Sequence, residues 1–158
     1  MENKASLKLK HKFSFLLLLA LSVIFISGCE KYDDGGTLGK AEKRISANDW
    51  KLDKYLRNGS DETSELLISN FVESYPESGA LTRSYTDNSG DPFSETGAWE
   101  FTSDKLQIKV SGIRSVELTN FTGTVSSSSY NILKLTKDEF WYNFENGGDS
   151  HEFQFVAK

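Results

Sequence analysis

From Trp50 onward, apolar and polar residues alternate over short runs, and most runs end at a cluster of Gly, Pro, Asn, Asp or Ser. A period of two puts successive side chains on opposite faces of an extended strand, so the pattern predicts β structure with one buried face. The clearest case is Trp99 and Phe101, followed by Leu106, Ile108 and Val110, all in one phase, with Glu100, Gln107 and Lys109 in the other. Phe140, Tyr142 and Phe144 share a face in the same way, as do Phe153 and Phe155. Strands are expected at residues 50–56, 66–75, 80–86, 98–102, 106–111, 130–135, 139–145 and 152–157. Asn58-Gly59, Pro76-Glu77-Ser78-Gly79, Thr136-Lys137-Asp138 and Asn146-Gly147-Gly148-Asp149 supply turns between them. Residues 87–97 read as a longer loop, and residues 42–47 as a short helical turn. Residues 61–67 also admit a helical turn at the head of the second strand. In residues 112–129, Val116 and Leu118 suggest a strand but Ser126 to Ser129 an exposed loop.

About eight strands in antiparallel succession, with no amphipathic helix long enough to cover a sheet, must hide two open edges. Closure into an up-and-down barrel does so most simply. The expected fold class is therefore all-β, a small antiparallel β-barrel of about eight strands. No internal repeat of a length typical of solenoids or propellers is visible.

The head of the chain follows another rule. Lys4, Lys8, Lys10 and Lys12 precede an almost wholly apolar run over residues 13–26, closed by Ser27 and Gly28. This is the form of a secretory signal, and the run is shorter than the roughly 20 residues a membrane-spanning helix needs. Ile26-Ser27-Gly28-Cys29 resembles the lipobox of bacterial lipoproteins. That resemblance implies removal of residues 1–28, acylation of Cys29 and membrane anchoring through the acyl chains. Each buried methylene of an acyl chain contributes about 0.8 kcal/mol, so two or three chains hold durably. Glu30, Asp33 and Asp34, close behind the cysteine, resemble the surface-export signal of Bacteroidetes lipoproteins. The implied location is the cell envelope, on the outer membrane and facing outward. Residues 29–47 are expected to form the anchor and a flexible tether, contributing no core, and residues 48–158 the barrel.

Processing changes the charge. Losing four lysines and Glu2 takes Lys+Arg from 18 to 14 and Asp+Glu from 23 to 22, a net charge of -8. Without a basic run, nucleic acid is set aside as a partner. Cys29 is the only cysteine, which excludes an intrachain disulfide and a thiolate metal cluster, and its acylation leaves no catalytic thiol. A mature length of 130 residues is enough for a single hydrophobic core, and a monomer is expected.

Candidate chemistry is sparse. Asp149-Ser150-His151 holds the residue types of a triad, but neighbours on a strand point to opposite faces and cannot relay a proton, so His151 reads as a solvated turn residue. Asp87-Asn88-Ser89-Gly90-Asp91 begins like a calcium loop, yet Pro92 and Ala98 stand where glycine and the bidentate glutamate belong. Asp138 and Glu139 diverge rather than flank a substrate bond. No catalytic, cofactor-binding or metal-binding residue is assigned. Eight Phe, six Tyr and three Trp remain after processing, and such aromatics either fill a small barrel or line an apolar cavity. Trp50, Trp99 and Phe101 are the candidates for a cavity wall.

Three segments carry a wider resemblance: Asp49-Trp50-Lys51-Leu52 opening the first strand, Gly97-Ala98-Trp99-Glu100-Phe101 in mid-chain, and YNILKLTKDEF beginning at Tyr130. They are similar to the lipocalin-like lipoproteins of Bacteroidetes, in which a G-x-W-x-F strand and an I-x-K-L-T-x-D-E-L hairpin recur. Phe140 stands in place of the usual leucine, and Asn48 where lipocalins favour glycine. The likeness spans about residues 48–158 and implies the barrel more than an activity. The expected function is a membrane-anchored, non-enzymatic barrel that binds a small apolar ligand or an envelope protein. The alternative is a surface glycan binder, with Tyr75, Tyr85 and Trp141 as stacking platforms.

Overall fold

A computed structural model describes residues 31–114 and 125–158. Eight strands form the barrel: β1 (Asp49–Arg57), β2 (Ile68–Ser74), β3 (Ala80–Asp87), β4 (Pro92–Phe101), β5 (Gln107–Arg114), β6 (Val125–Leu135), β7 (Glu139–Asn146) and β8 (Asp149–Ala157). Each pairs antiparallel with the next, and β8 returns to β1, so the sheet closes as an up-and-down barrel. Closure requires bending, which the register shifts supply: in β2 between Ser69 and Val72, in β5 between Val110 and Ile113, in β6 between Ile132 and Lys134, and in β1 between Leu52 and Lys54, opposite Phe155 and Gln154. At the first of these, Asn70 takes φ 53. The β1–β2 seam is the shortest, joined only from Asp49↔Ser74 to Lys51↔Val72. Beyond Lys51 the two strands part. The 3-10 turn Thr63–Glu65 lies between them in the chain, within the expected helical turn at 61–67.

Two expected loops are strands. Residues 92–97 extend β4, pairing from Pro92↔Thr86 onward, because Pro92 occupies the first strand position, where a missing N–H is tolerated. Residues 126–129 belong to β6, where Ser126 pairs with Ile113 and Ser128 with Val110; main-chain pairing carries this serine run. Val116 and Leu118 lie outside the described residues. Leu106, expected inside, is 44% exposed, because Lys105 at φ 60 turns the chain and the strand begins only at Gln107.

The turns divide the barrel into two ends. At one, the β2–β3, β4–β5 and β6–β7 turns gather beside the helix α1 (Ala41–Ile45), whose Ala41 and Ile45 are fully buried. Trp50 Nε1–H donates to the Ile45 carbonyl at 2.7 Å, fixing α1 to the start of β1. Ahead of α1, residues expected to be an unburied tether are docked on the barrel. Tyr32 is 3% exposed, and Gly35 and Gly36 pair in parallel with Lys134 and Leu135. The reason is a vacant edge: β5 starts opposite Asn131, so residues 133–135 of β6 lack a β5 partner and accept this strap. The other end carries the β1–β2, β3–β4 and β7–β8 turns and has no such cover among the described residues.

Candidate functional site

The inward phase of β2 is Phe71 and Glu73, continued by Tyr75 just past its end, and that of β3 is Leu81, Arg83 and Tyr85; all six are buried. Two charges thus enter the barrel in step with apolar neighbours. Glu73 Oε1 accepts from Arg83 Nε at 2.8 Å and Nη2 at 2.6 Å. Its other oxygen accepts from the hydroxyls of Tyr75 at 2.7 Å and Tyr142 at 3.3 Å. Arg83 Nη1 donates to the Arg114 carbonyl at 2.9 Å and lies 3.6 Å from Glu95 Oε1. Burial alone opposes the guanidinium charge; the Glu73 carboxylate beside it keeps it protonated. Burial, then the Glu73 charge, pushes the Tyr75 and Tyr142 hydroxyls well above the ordinary phenol range. Both Glu73 oxygens hold partners while Glu95 Oε1 at the edge accepts no hydrogen bond among the described residues, and the cluster forms a polar floor across the barrel.

Below this floor the interior is filled. Trp50 is fully buried, 5.7 Å from Phe140 between ring centroids. Trp99 packs edge-on against Tyr75 at 5.6 Å and Phe101 at 5.4 Å, and its Nε1–H donates to the Pro76 carbonyl at 3.1 Å. The three residues expected to wall a cavity therefore plug the closed end, because each ring meets another ring or the α1 side of the barrel.

Above the floor lies the mouth, uncovered among the described residues. On one wall Tyr85 stacks on Phe93 at 4.9 Å and on Phe71 at 6.3 Å, with the Arg114 guanidinium 4.9 Å from the Phe93 ring. On the other, the Tyr55 hydroxyl shares a 2.8 Å hydrogen bond with His151 Nδ1, and His151 stacks on Phe144 at 5.2 Å. Burial raises the Tyr55 hydroxyl to about 12. Phe93, Phe144, Leu66 and Ile68 are only partly buried. Beside them Tyr55, Leu66, Leu67 and the Arg57–Glu62 ion pair help to line a cleft of about 420 Å³. The rim thus sets apolar side chains beside charged ones, with Arg57, Asp61, Glu62 and Glu65 bordering the same cleft.

His151 is not a solvated turn residue: β8 carries it inward, 7% exposed. Asp149 accepts instead from Asn58 Nδ2 at 2.8 Å, so the three neighbours form no relay. Tyr75 and Tyr85 are buried and cannot serve as exposed stacking platforms; Trp141 lies under Lys134 Nζ, 4.1 Å from its ring centroid. Asp87 Oδ1 accepts the N–H groups of Ser89 and Asp91, both at 2.9 Å, closing the β3–β4 turn. Glu139 pairs with Lys134 at 2.9 Å while Asp138 faces Lys137. Among the described residues no cluster of His, Cys, Asp and Glu could hold a metal. Cys29 lies outside them. Sequence reasoning missed Glu73 and Arg83. The signal was there: in Phe71-Val72-Glu73-Ser74-Tyr75 and Leu81-Thr82-Arg83-Ser84-Tyr85 the charge sits in the apolar phase.

No family model and no curated protein matches the chain. Solved structures do. A lipocalin-like protein from Bacteroides uniformis aligns at a TM-score of 0.52 with 14% identity, over 72% of this chain and 99% of that one. Insecticyanin from the tobacco hornworm Manduca sexta aligns at 0.52 with 11% identity, over 84% of this chain and 68% of that one. At such identities the likeness is one of fold, and with the closed eight-strand barrel it shows that this chain has a lipocalin-like fold.

Proposed function

We propose that the protein is a lipoprotein, held on the outer membrane through an acylated Cys29, whose barrel binds an apolar group at its mouth without turning it over. The group is a small apolar ligand or the apolar side chains of an envelope partner. One observation carries this reading: Trp50 and α1 plug one end, while Phe93, Phe144, Leu66 and Ile68 are left partly exposed at the other. Because the ionic floor fills the middle, the occupant sits shallowly, and the rim residues decide its affinity.

Titration with an environment-sensitive apolar dye tests the mouth. Saturable binding is expected, weakened at least about tenfold by Phe93→Lys, which corresponds to about 1.4 kcal/mol. Binding that ignores the substitution would place the occupant elsewhere. The anchor is tested separately by Cys29→Ser, expected to abolish palmitate labelling and membrane retention; a variant still labelled would overturn the lipoprotein reading.

A further inference from the structure

We propose that the closed end of the barrel rests against the lipid surface, so that the mouth points away from the membrane. The inference rests on the reading of Cys29 as the acylated residue and adds an orientation to it. Only Glu30 and Lys31 separate Cys29 from Tyr32. Three residue steps span at most about 11 Å even when fully extended. Tyr32 is not a free linker residue. It is 3% exposed, its hydroxyl donates to the Lys105 carbonyl at 3.0 Å, and two residues on, the Asp34 N–H donates to the Leu133 carbonyl at 2.8 Å. The acyl chains are therefore tied by a stub to the β4–β5 turn and the end of β6, both at the closed end.

The surface around that stub suits a lipid headgroup layer. Leu106, one of two large apolar residues exposed among those described, stands beside Tyr32, and together with Ile132 and Leu133 they line a shallow cleft of about 440 Å³. The charges lining it are Lys31, Asp33 and Asp104, and the neighbouring Lys105 is paired with Glu42 at 2.8 Å, so no basic patch is left to seek anionic lipid. Attachment there depends on the short reach and the apolar side chains rather than on lipid charge. The mouth lies at the far end of β6, where ten residue steps from Leu135 to Val125 rise about 33 Å along the strand. An occupant of the mouth thus comes from the side facing away from the anchoring bilayer.

The test uses the full acylated chain in phosphatidylcholine vesicles containing a headgroup-bound fluorescence quencher. Acylation consumes the sulfur of the only cysteine, so Leu106→Cys and Ser89→Cys each give one thiol for a fluorophore. Ser89 is exposed on the β3–β4 turn at the mouth. Quenching at position 106 is expected to exceed that at position 89 several-fold. Equal or reversed quenching on chains that float with the vesicles overturns the orientation alone. Chains that do not float with vesicles overturn the acylation reading, and the orientation with it.

Discussion

The Glu73–Arg83 ion pair lies at the centre of the barrel's buried polar cluster. Glu73 and Arg83 are both fully buried, and their mutual attraction offsets a desolvation penalty that neither could bear alone. Removing one partner leaves the other charged, buried and uncompensated. Arg83→Met should therefore destabilise the protein by about 3–5 kcal/mol in urea melts, whereas Glu73→Gln with Arg83→Met should recover much of that loss. A loss below about 1 kcal/mol for the single variant would show that water reaches the carboxylate. The tyrosines give a second observable. All six are shifted upward, with burial the first cause in each, and Tyr32 and Tyr55 reach about 12. Folded values above the unfolded value of 10.0 mean that the unfolded chain ionises first as pH rises. This stability is fully present below about pH 10 and is lost as pH climbs toward 12 and beyond. Phenolate absorbance should accordingly appear together with unfolding; stepwise ionisation near pH 10 in the folded protein would contradict the burial.

At the scale of elements, period-two alternation made most strands readable, and it failed where one residue type carried two meanings. Gly97 reads as a loop residue by composition, yet it sits inside β4 because β5 comes too close for a side chain. A Cβ there would overlap the Ser111 carbonyl oxygen and the Ile113 side chain. Gly97→Ala should cost about 1–3 kcal/mol through overpacking, read from denaturant midpoints, and a neutral result would mean that β5 can move aside. Gly147 and Gly148, by contrast, announced their turn correctly, with φ 62 and 92 in the β7–β8 hairpin. Serine at 126–129 looked exposed because its side chain favours loops, but partner register, absent from local sequence, placed it in β6. The site was legible in part. The phase of Glu73 and Arg83 was printed in their strands, but which strand faces which, and hence that the two charges meet, is set by closure of the ring.

For the whole molecule, the folded unit begins earlier than its strands suggest. The strap ahead of α1 buries Tyr32 and satisfies main-chain groups on the free stretch of β6, so it belongs to the core although its composition is that of a linker. Composition misleads here because Gly35 and Gly36, which usually signal flexibility, are what lets the backbone lie against Leu135; a Cβ on Gly36 would overlap the Leu135 carbonyl. Two shortened soluble chains separate the alternatives. One starting at Lys31 retains every docked residue described, and one starting at Ala41 lacks the strap but keeps α1 and all eight strands. Burying a large side chain such as Tyr32 contributes about 1.5–3 kcal/mol, and the strap adds its hydrogen bonds. The shorter chain should still fold as a β-rich barrel but melt roughly 5–10 °C lower. Its Leu133–Leu135 edge, left open, should also exchange amide hydrogens faster than in the longer chain. Identical melting of the two would show that the strap is a tether after all, and would remove the short reach on which the proposed orientation rests.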